Sequence, residues 1–131
     1  LPPSFYQAML TVAGGILEEN GMYLIAQRKR DDDYGLKWEF PGGKLDEDET
    51  GEECIVRELM EELCIEVEVI GFYDEFVEED FTILYYLVRR VSGKFTLNEH
   101  EKFQWVFPDE LVDYDLLSGD REIAQKLAQR V

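Results

Sequence analysis

The sequence predicts an α+β fold in which a mixed β-sheet is flanked by helices. Three observations carry that reading. Apolar, partly β-branched runs lie on both sides of one strongly acidic amphipathic segment. An Asn20-Gly21 pair separates two of those runs, a strong hairpin signal. The acidic segment opens with Thr50 and Glu53 at capping-box spacing, and a second helical pattern closes the chain. No internal repeat, low-complexity stretch or linker interrupts the pattern, so residues 1–131 read as one domain able to bury a core without disulfides.

The elements follow in order. Tyr6 to Leu17 reads as a first strand and Met22 to Arg28 as its hairpin partner. Trp38-Glu39-Phe40 is an apolar strand end, broken by Pro41 and by Gly42-Gly43, which let backbone approach a ligand closely. From Thr50, the residues Ile55, Val56, Leu59, Met60 and Leu63 recur at helical spacing and predict an inward side. Glu66 to Ile70 alternates like a half-buried strand, Phe81 to Val91 is a longer one, and Ser92-Gly93-Lys94 turns. Phe103 to Phe107 is the last strand, and Pro108 opens a short helical turn. Arg121 to Val131 is expected to form a terminal helix with Ile123, Ala124, Leu127 and Ala128 inward.

The most informative constellation lies between Gly43 and Ile65. Glu58, Glu61 and Glu62 share one helix face, because residues three and four apart are neighbours there. Gathering those charges is costly without a cation, and hard ions such as Mg²⁺ or Mn²⁺ prefer oxygen ligands. A solvated acidic face is the bland alternative. It does not account for Gly43, Glu49 and Arg57 at their fixed offsets.

Together these residues resemble the Nudix box: Gly, five residues, Glu, seven residues, Arg-Glu, an aliphatic residue, any residue, Glu-Glu, any residue, Gly, aliphatic. Gly43, Glu49, Arg57, Glu58, Leu59, Glu61, Glu62 and Ile65 all match. Cys64 stands where the family has Gly, a departure that concerns the helix end and not the carboxylates. The preceding Trp38 to Lys44 run is similar to the MutT-like branch. The resemblance implies a three-layer α/β/α sandwich and Mg²⁺-dependent hydrolysis of nucleoside triphosphates, standard or oxidised, to a nucleoside monophosphate and pyrophosphate. Other Nudix activities, on ADP-ribose or dinucleoside polyphosphates, and a non-catalytic nucleotide- or protein-binding domain are the alternatives.

The resemblance also implies roles. Glu58, Glu61 and Glu62 would hold the metal, Arg57 would orient Glu49 or another box acid, and Glu58 or the Glu99 region would take a proton from water. A further carboxylate ligand is expected from the loop before Trp105, with Glu99 favoured over Glu101 by spacing. Arg28 matches a phosphate-contacting position, although a solvated strand-end arginine fits equally. Asp120 either reads the base edge or is an N-cap or first-turn acid of the following helix. Phe40 either lines the base pocket or fills the core, while Gly42 and Gly43 bring backbone to the substrate. His100 reads as a solvent-exposed loop residue.

Charge narrows the partners. The net charge is −17, and Asp46 to Asp80 holds sixteen acids against the single base Arg57. Such a field opposes a phosphate backbone, so duplex nucleic acid is not expected. A nucleotide can approach only with a cation that reverses the local sign. No apolar run approaches the roughly 18 residues of a membrane span. Leu1 to Ser4 lacks signal-peptide character, and Cys54 and Cys64 stand roughly 15 Å apart by helical rise. A reducing cytoplasm is therefore the expected location. Cys54 reads as core filler, and homodimers are frequent in the family.

Overall fold

The computed structural model describes residues 10–130; the start expected for the first strand, at Tyr6, and the last helical residue, Val131, lie outside them. Seven strands form a mixed sheet: β1 (Leu10–Glu19), β2 (Met22–Arg28), β3 (Trp38–Glu39), β4 (Gly42–Lys44), β5 (Ile65–Val77), β6 (Phe81–Gly93) and β7 (His100–Val106). Helix α1 spans Gly51–Leu63, a 3₁₀ helix spans Pro108–Asp113, and α2 spans Ser118–Ala128. The strand order is β3-β2-β1-β6-β5, with β4 paired to β1 and β7 to β2.

β1 runs parallel to β6 and antiparallel to β2, so the sheet is mixed as expected. The β1–β2 hairpin closes at Asn20 and Gly21, with φ of 54° and 77°. Both central residues thus take the positive dihedrals of a primed two-residue turn.

Alternation along the strands builds two cores, one on each sheet face. Leu17, Leu24, Tyr86 and Val88 pack under α1 with Cys54, Ile55, Leu59 and Leu63. Their sequence neighbours Ile16, Ile25 and Tyr85 point the other way, against Leu111, Leu116, Ile123, Ala124 and Leu127. Helices therefore cover both faces. Ile55, Leu59 and Leu63 are fully enclosed, each stabilising the layer by about 1.5–3 kcal/mol. Met60, counted on the inward side of the helix, is 47% exposed instead.

Element boundaries differ from expectation in several places, among them β6, which runs on through Ser92 and Gly93 because they pair with Glu66 and Ile65 where a turn is expected. β5 continues through Gly71 to Val77 because register shifts against β6 at Glu66/Val67, Val69/Gly71 and Phe72/Asp74 break the simple alternation. β7 starts at His100, three residues before the first aromatic of the run. α2 begins at Ser118 after Leu117, which makes no side-chain cap, so Asp120 is a first-turn acid and not a cap.

Candidate active site

The site is organised by α1. Thr50 and Glu53 form the predicted capping box, Glu53 N donating to Thr50 Oγ1 at 3.1 Å and Thr50 N to Glu53 Oε1 at 2.9 Å. This fixes the helix start, and the buried residues fix its rotation. Glu58 and Glu62 then face the Gly42–Lys44 strand and the start of β7.

The glycines explain the closeness of that approach. A methyl group at Gly42 would meet the Ala13 carbonyl oxygen at 1.9 Å, and one at Gly43 would meet the Glu58 carboxylate at 2.4 Å. Any side chain there would displace backbone in the first case and a carboxylate in the second.

The helix C-terminus sets the other side. Cys64 takes the left-handed conformation, φ 60° and ψ 30°, that the family's glycine would adopt freely. The 94–99 loop satisfies the last helical carbonyls: Thr96 N donates to Leu63 O at 3.0 Å and Asn98 N to Glu62 O at 3.1 Å. Asn98 Nδ2 donates to Glu61 O at 2.8 Å. The loop is thereby tied to α1, and it carries Glu99 to the helix.

Glu58, Glu62 and Glu99 each offer a carboxylate oxygen, all within 4.8 Å of one another. Glu99 thus joins the box acids, and Glu101 does not. Glu61 lines the same cavity, but its Oε2 accepts from Arg57 Nη1 at 3.1 Å and lies outside that set. Glu62 is 3% exposed, and its Oε1 has no hydrogen-bond partner among the described residues. Burial, then neighbouring Glu58, Glu39 and Glu99, push its carboxyl well above the usual carboxylate range. An all-oxygen carboxylate set with the buried, unpartnered Glu62 Oε1 at its inner side fits a hard divalent cation.

Arg57 braces these acids, as its place in the box implied. Nε and Nη2 grip Glu49 at 2.8 and 2.9 Å, and Nη1 reaches Glu58 at 2.9 Å. The hydrogen bond from Arg57 holds Glu49 down to about 2, while the paired carboxylates raise the guanidinium still further. Cys54 is core filler as read: burial pushes its thiol up to about 12.

Two cavities meet at the Gly42-Gly43 strand. The acidic one, about 510 Å³, is lined by Glu58, Glu62, Glu99, Arg28 and Glu39. An apolar one of about 440 Å³ is lined by Phe40, Ile83, Phe81, Tyr34 and Asp120. Arg28, Glu39, Gly42 and Gly43 border both. A register shift at Gln27/Arg28 sets Arg28 opposite His100. Arg28 is not a freely solvated strand end, because Nε donates to Asp33 O at 2.7 Å and Nη1 to Glu39 Oε1 at 3.0 Å.

Phe40 is 4% exposed and serves core and cavity wall together. Asp120 is buried beneath it, accepting from Phe40 N at 3.0 Å and from the Tyr85 hydroxyl. Burial raises its carboxyl to about 7.

The residue-type pattern missed two members of the site. Glu39 carries no box offset, yet it lies between Arg28 and His100. His100 is 6% exposed, which corrects its reading as a solvent-exposed loop residue. It opens β7 and is drawn inward by Glu39, a cross-strand partner that only three-dimensional register reveals.

Comparison with known proteins now decides the family. The NUDIX domain family model matches residues 9–127. The chain belongs to the Nudix family. The CTP pyrophosphohydrolase of Escherichia coli is 34% identical over 116 residues, covering 86% of this chain and 86% of that protein. An 8-oxo-dGTP diphosphatase of the same organism is 34% identical over 102 residues, 74% of this chain and 79% of that one. The solution structure of the E. coli ORF135 protein superimposes with a TM-score of 0.76 at 30% identity, covering 95% of this chain and 91% of the other. The Nudix hydrolase is MutT-like and has the α+β Nudix fold; it acts on phosphoanhydride bonds of nucleotide derivatives.

Proposed function

We propose that this Nudix hydrolase cleaves nucleoside triphosphates, standard or oxidised, to a nucleoside monophosphate and pyrophosphate with Mg²⁺, for which Mn²⁺ can substitute. The single observation that carries the reading is the convergence of Glu58, Glu62 and Glu99 in an acidic cavity that opens beside an apolar one. A polyphosphate and a base need those two environments side by side. The relatives named for CTP and for 8-oxo-dGTP support the substrate class.

Phosphoryl transfer is mostly positioning and charge neutralisation. A Mg²⁺ held by Glu58, Glu62 and Glu99, with Glu61 beside them, would neutralise the polyphosphate and polarise its oxygens. The protein's residues do the rest. Arg57 keeps Glu49, Glu58 and Glu61 in register through five donors arranged as a rigid fork. Arg28, held by Asp33 and Glu39, presents its remaining guanidinium nitrogen to a phosphate oxygen at the junction of the cavities. Gly42 and Gly43 let β4 lie close against Ala13 and Glu58 and present backbone at the junction of the two cavities. Glu58 or Glu99 takes the proton of the attacking water. Phe40 offers its ring to the base, and Asp120 fixes the backbone that carries Phe40.

Phosphorus NMR of the products tests the reaction. Pyrophosphate with a nucleoside monophosphate from a triphosphate is the expected result. Turnover of ADP-ribose to AMP and ribose phosphate, with triphosphates left intact, would replace the proposal by the alternative of another nucleoside diphosphate derivative.

A further inference from the structure

The 29–37 loop joins β2 to β3 and is tied at both ends. Arg28 N donates to Lys37 O at 2.9 Å, and Leu36 N donates to Arg28 O at 3.0 Å. Nearer the tip, Lys37 N donates to Tyr34 O at 3.1 Å. Arg28 Nε donates to Asp33 O at 2.7 Å, the carbonyl of the peptide that leads into Tyr34. A methyl group at Gly35 would meet the Arg30 carbonyl oxygen at 2.2 Å, so the turn closes this tightly only with glycine there. Within this turn Tyr34 takes φ 56°.

A positive φ is rare for a bulky side chain, and asparagine or glycine accepts it at less cost. Burial does not offset the strain, because Tyr34 is 70% exposed. Trp38, Phe40 and Tyr85, by contrast, are each packed against another ring. Yet Tyr34 lines the apolar cavity together with Phe40, Phe81 and Ile83. Backbone strain without a packing reason concentrates at binding sites. The cavity thus has one buried aromatic wall, Phe40, and one exposed aromatic wall, Tyr34. A flat ring with two apolar faces and a polar edge fits such a space.

We propose that Tyr34 is a specificity-determining residue whose ring stacks on the nucleobase at the outer side of the apolar cavity. The inference rests on the reading that nucleoside triphosphates are the substrate. Stacking accepts every base, since each has a π-face, and it strengthens with ring area. Tyr34 therefore contributes more to a purine than to a pyrimidine nucleotide. Arg28 links the two ends of the substrate, because the guanidinium placed at the phosphates also holds the peptide behind Tyr34.

Steady-state kinetics of wild type, Tyr34→Asn and Tyr34→Phe test this, with a purine nucleoside triphosphate as substrate and ribose 5-triphosphate, which lacks the base, as competitor. Asparagine keeps the left-handed backbone without the ring, and phenylalanine keeps the ring without the hydroxyl. KM for the nucleoside triphosphate should rise about tenfold in Tyr34→Asn, the scale of one lost stacking contact. Its kcat should hold within a few-fold, and Tyr34→Phe should restore the wild-type KM. The inhibition constant of ribose 5-triphosphate should be the same in all three proteins. The melting temperature of Tyr34→Asn should equal or exceed that of wild type. An unchanged KM in Tyr34→Asn would overturn the inference and leave the proposed function standing. Equal weakening of nucleotide and ribose triphosphate, or a lowered melting temperature, would assign the ring to loop structure and overturn it too. Absence of triphosphate turnover by the wild type would overturn the substrate reading and this inference with it.

Discussion

A methyl group on Gly43 would sit 2.4 Å from Glu58 Cδ and 2.5 Å from Glu58 Oε2. The glycine and the carboxylate occupy one space, and the strand approaches α1 closely only because Gly43 has no side chain. Gly43→Ala should therefore fold, with a stability loss of about 1 kcal/mol or less, since the clash is with a movable carboxylate. Turnover should drop about 10²-fold, because a displacement of about 1 Å in a catalytic group costs on that order. Activity measured beside a thermal melt checks it, and near-normal turnover would show that Glu58 is free to move.

Gly42→Ala should behave in the opposite sense. Its methyl group would strike the Ala13 backbone carbonyl at 1.9 Å, so β4 must separate from β1. Urea unfolding should show a loss of about 2 kcal/mol or more, in the range of severe backbone-linked substitutions. An unchanged midpoint would mean that the strand pairing yields easily.

Most of the fold was legible in the sequence because its signals are local. The capping box at Thr50, the Asn20-Gly21 turn and the spacing of Ile55, Leu59 and Leu63 each act within a few residues. Bulged pairing is not local: the extension of β5 to Val77 depends on its register with β6. The site divides in the same way. The box acids stand out by their spacing and Glu99 is implied by the family resemblance, whereas Glu39 and His100 become partners only when β3 and β7 flank β2. Asp120 was legible as an acid of interest, but its bonds to Phe40 and Tyr85 span 80 and 35 residues.

Asp120 gives a pH prediction. Its folded carboxyl sits near 7, raised first by burial from an ordinary value near 3.8. The native state therefore holds more protons than the unfolded chain between those values, so stability from this group falls as pH rises from about 4 to 7. The slope is up to about 1.4 kcal/mol per pH unit. Asp120→Asn can present its oxygen to Phe40 N and its amide to the Tyr85 oxygen, mimicking the protonated acid. The variant should gain on wild type as pH rises toward 7 and then hold a constant difference. A difference that does not vary with pH would show that Asp120 titrates normally.

Cys64 holds φ 60° at the end of α1, a conformation worth roughly 1–2 kcal/mol of strain for an L-residue. Cys64→Gly should raise stability by up to about 1 kcal/mol in urea unfolding. The Asn98 Nδ2 contact with Cys64 Sγ at 3.2 Å is lost in the variant. A net loss of stability would show that this contact outweighs the relief.

Pyrophosphate release from nucleoside triphosphates at saturating Mg²⁺, wild type against Glu62→Gln, tests the account most directly. Glu62 is the buried, unpartnered carboxylate of the set, and the amide removes its charge while preserving its shape. The account predicts release by the wild type and a loss of 10³-fold or more in the variant, on the order of removing a charge-stabilising group. The melting temperature of the metal-free variant should be equal or higher, since a buried carboxylate without a partner disfavours the folded state. Release by Glu62→Gln within a few-fold of wild type would contradict the assignment of the site.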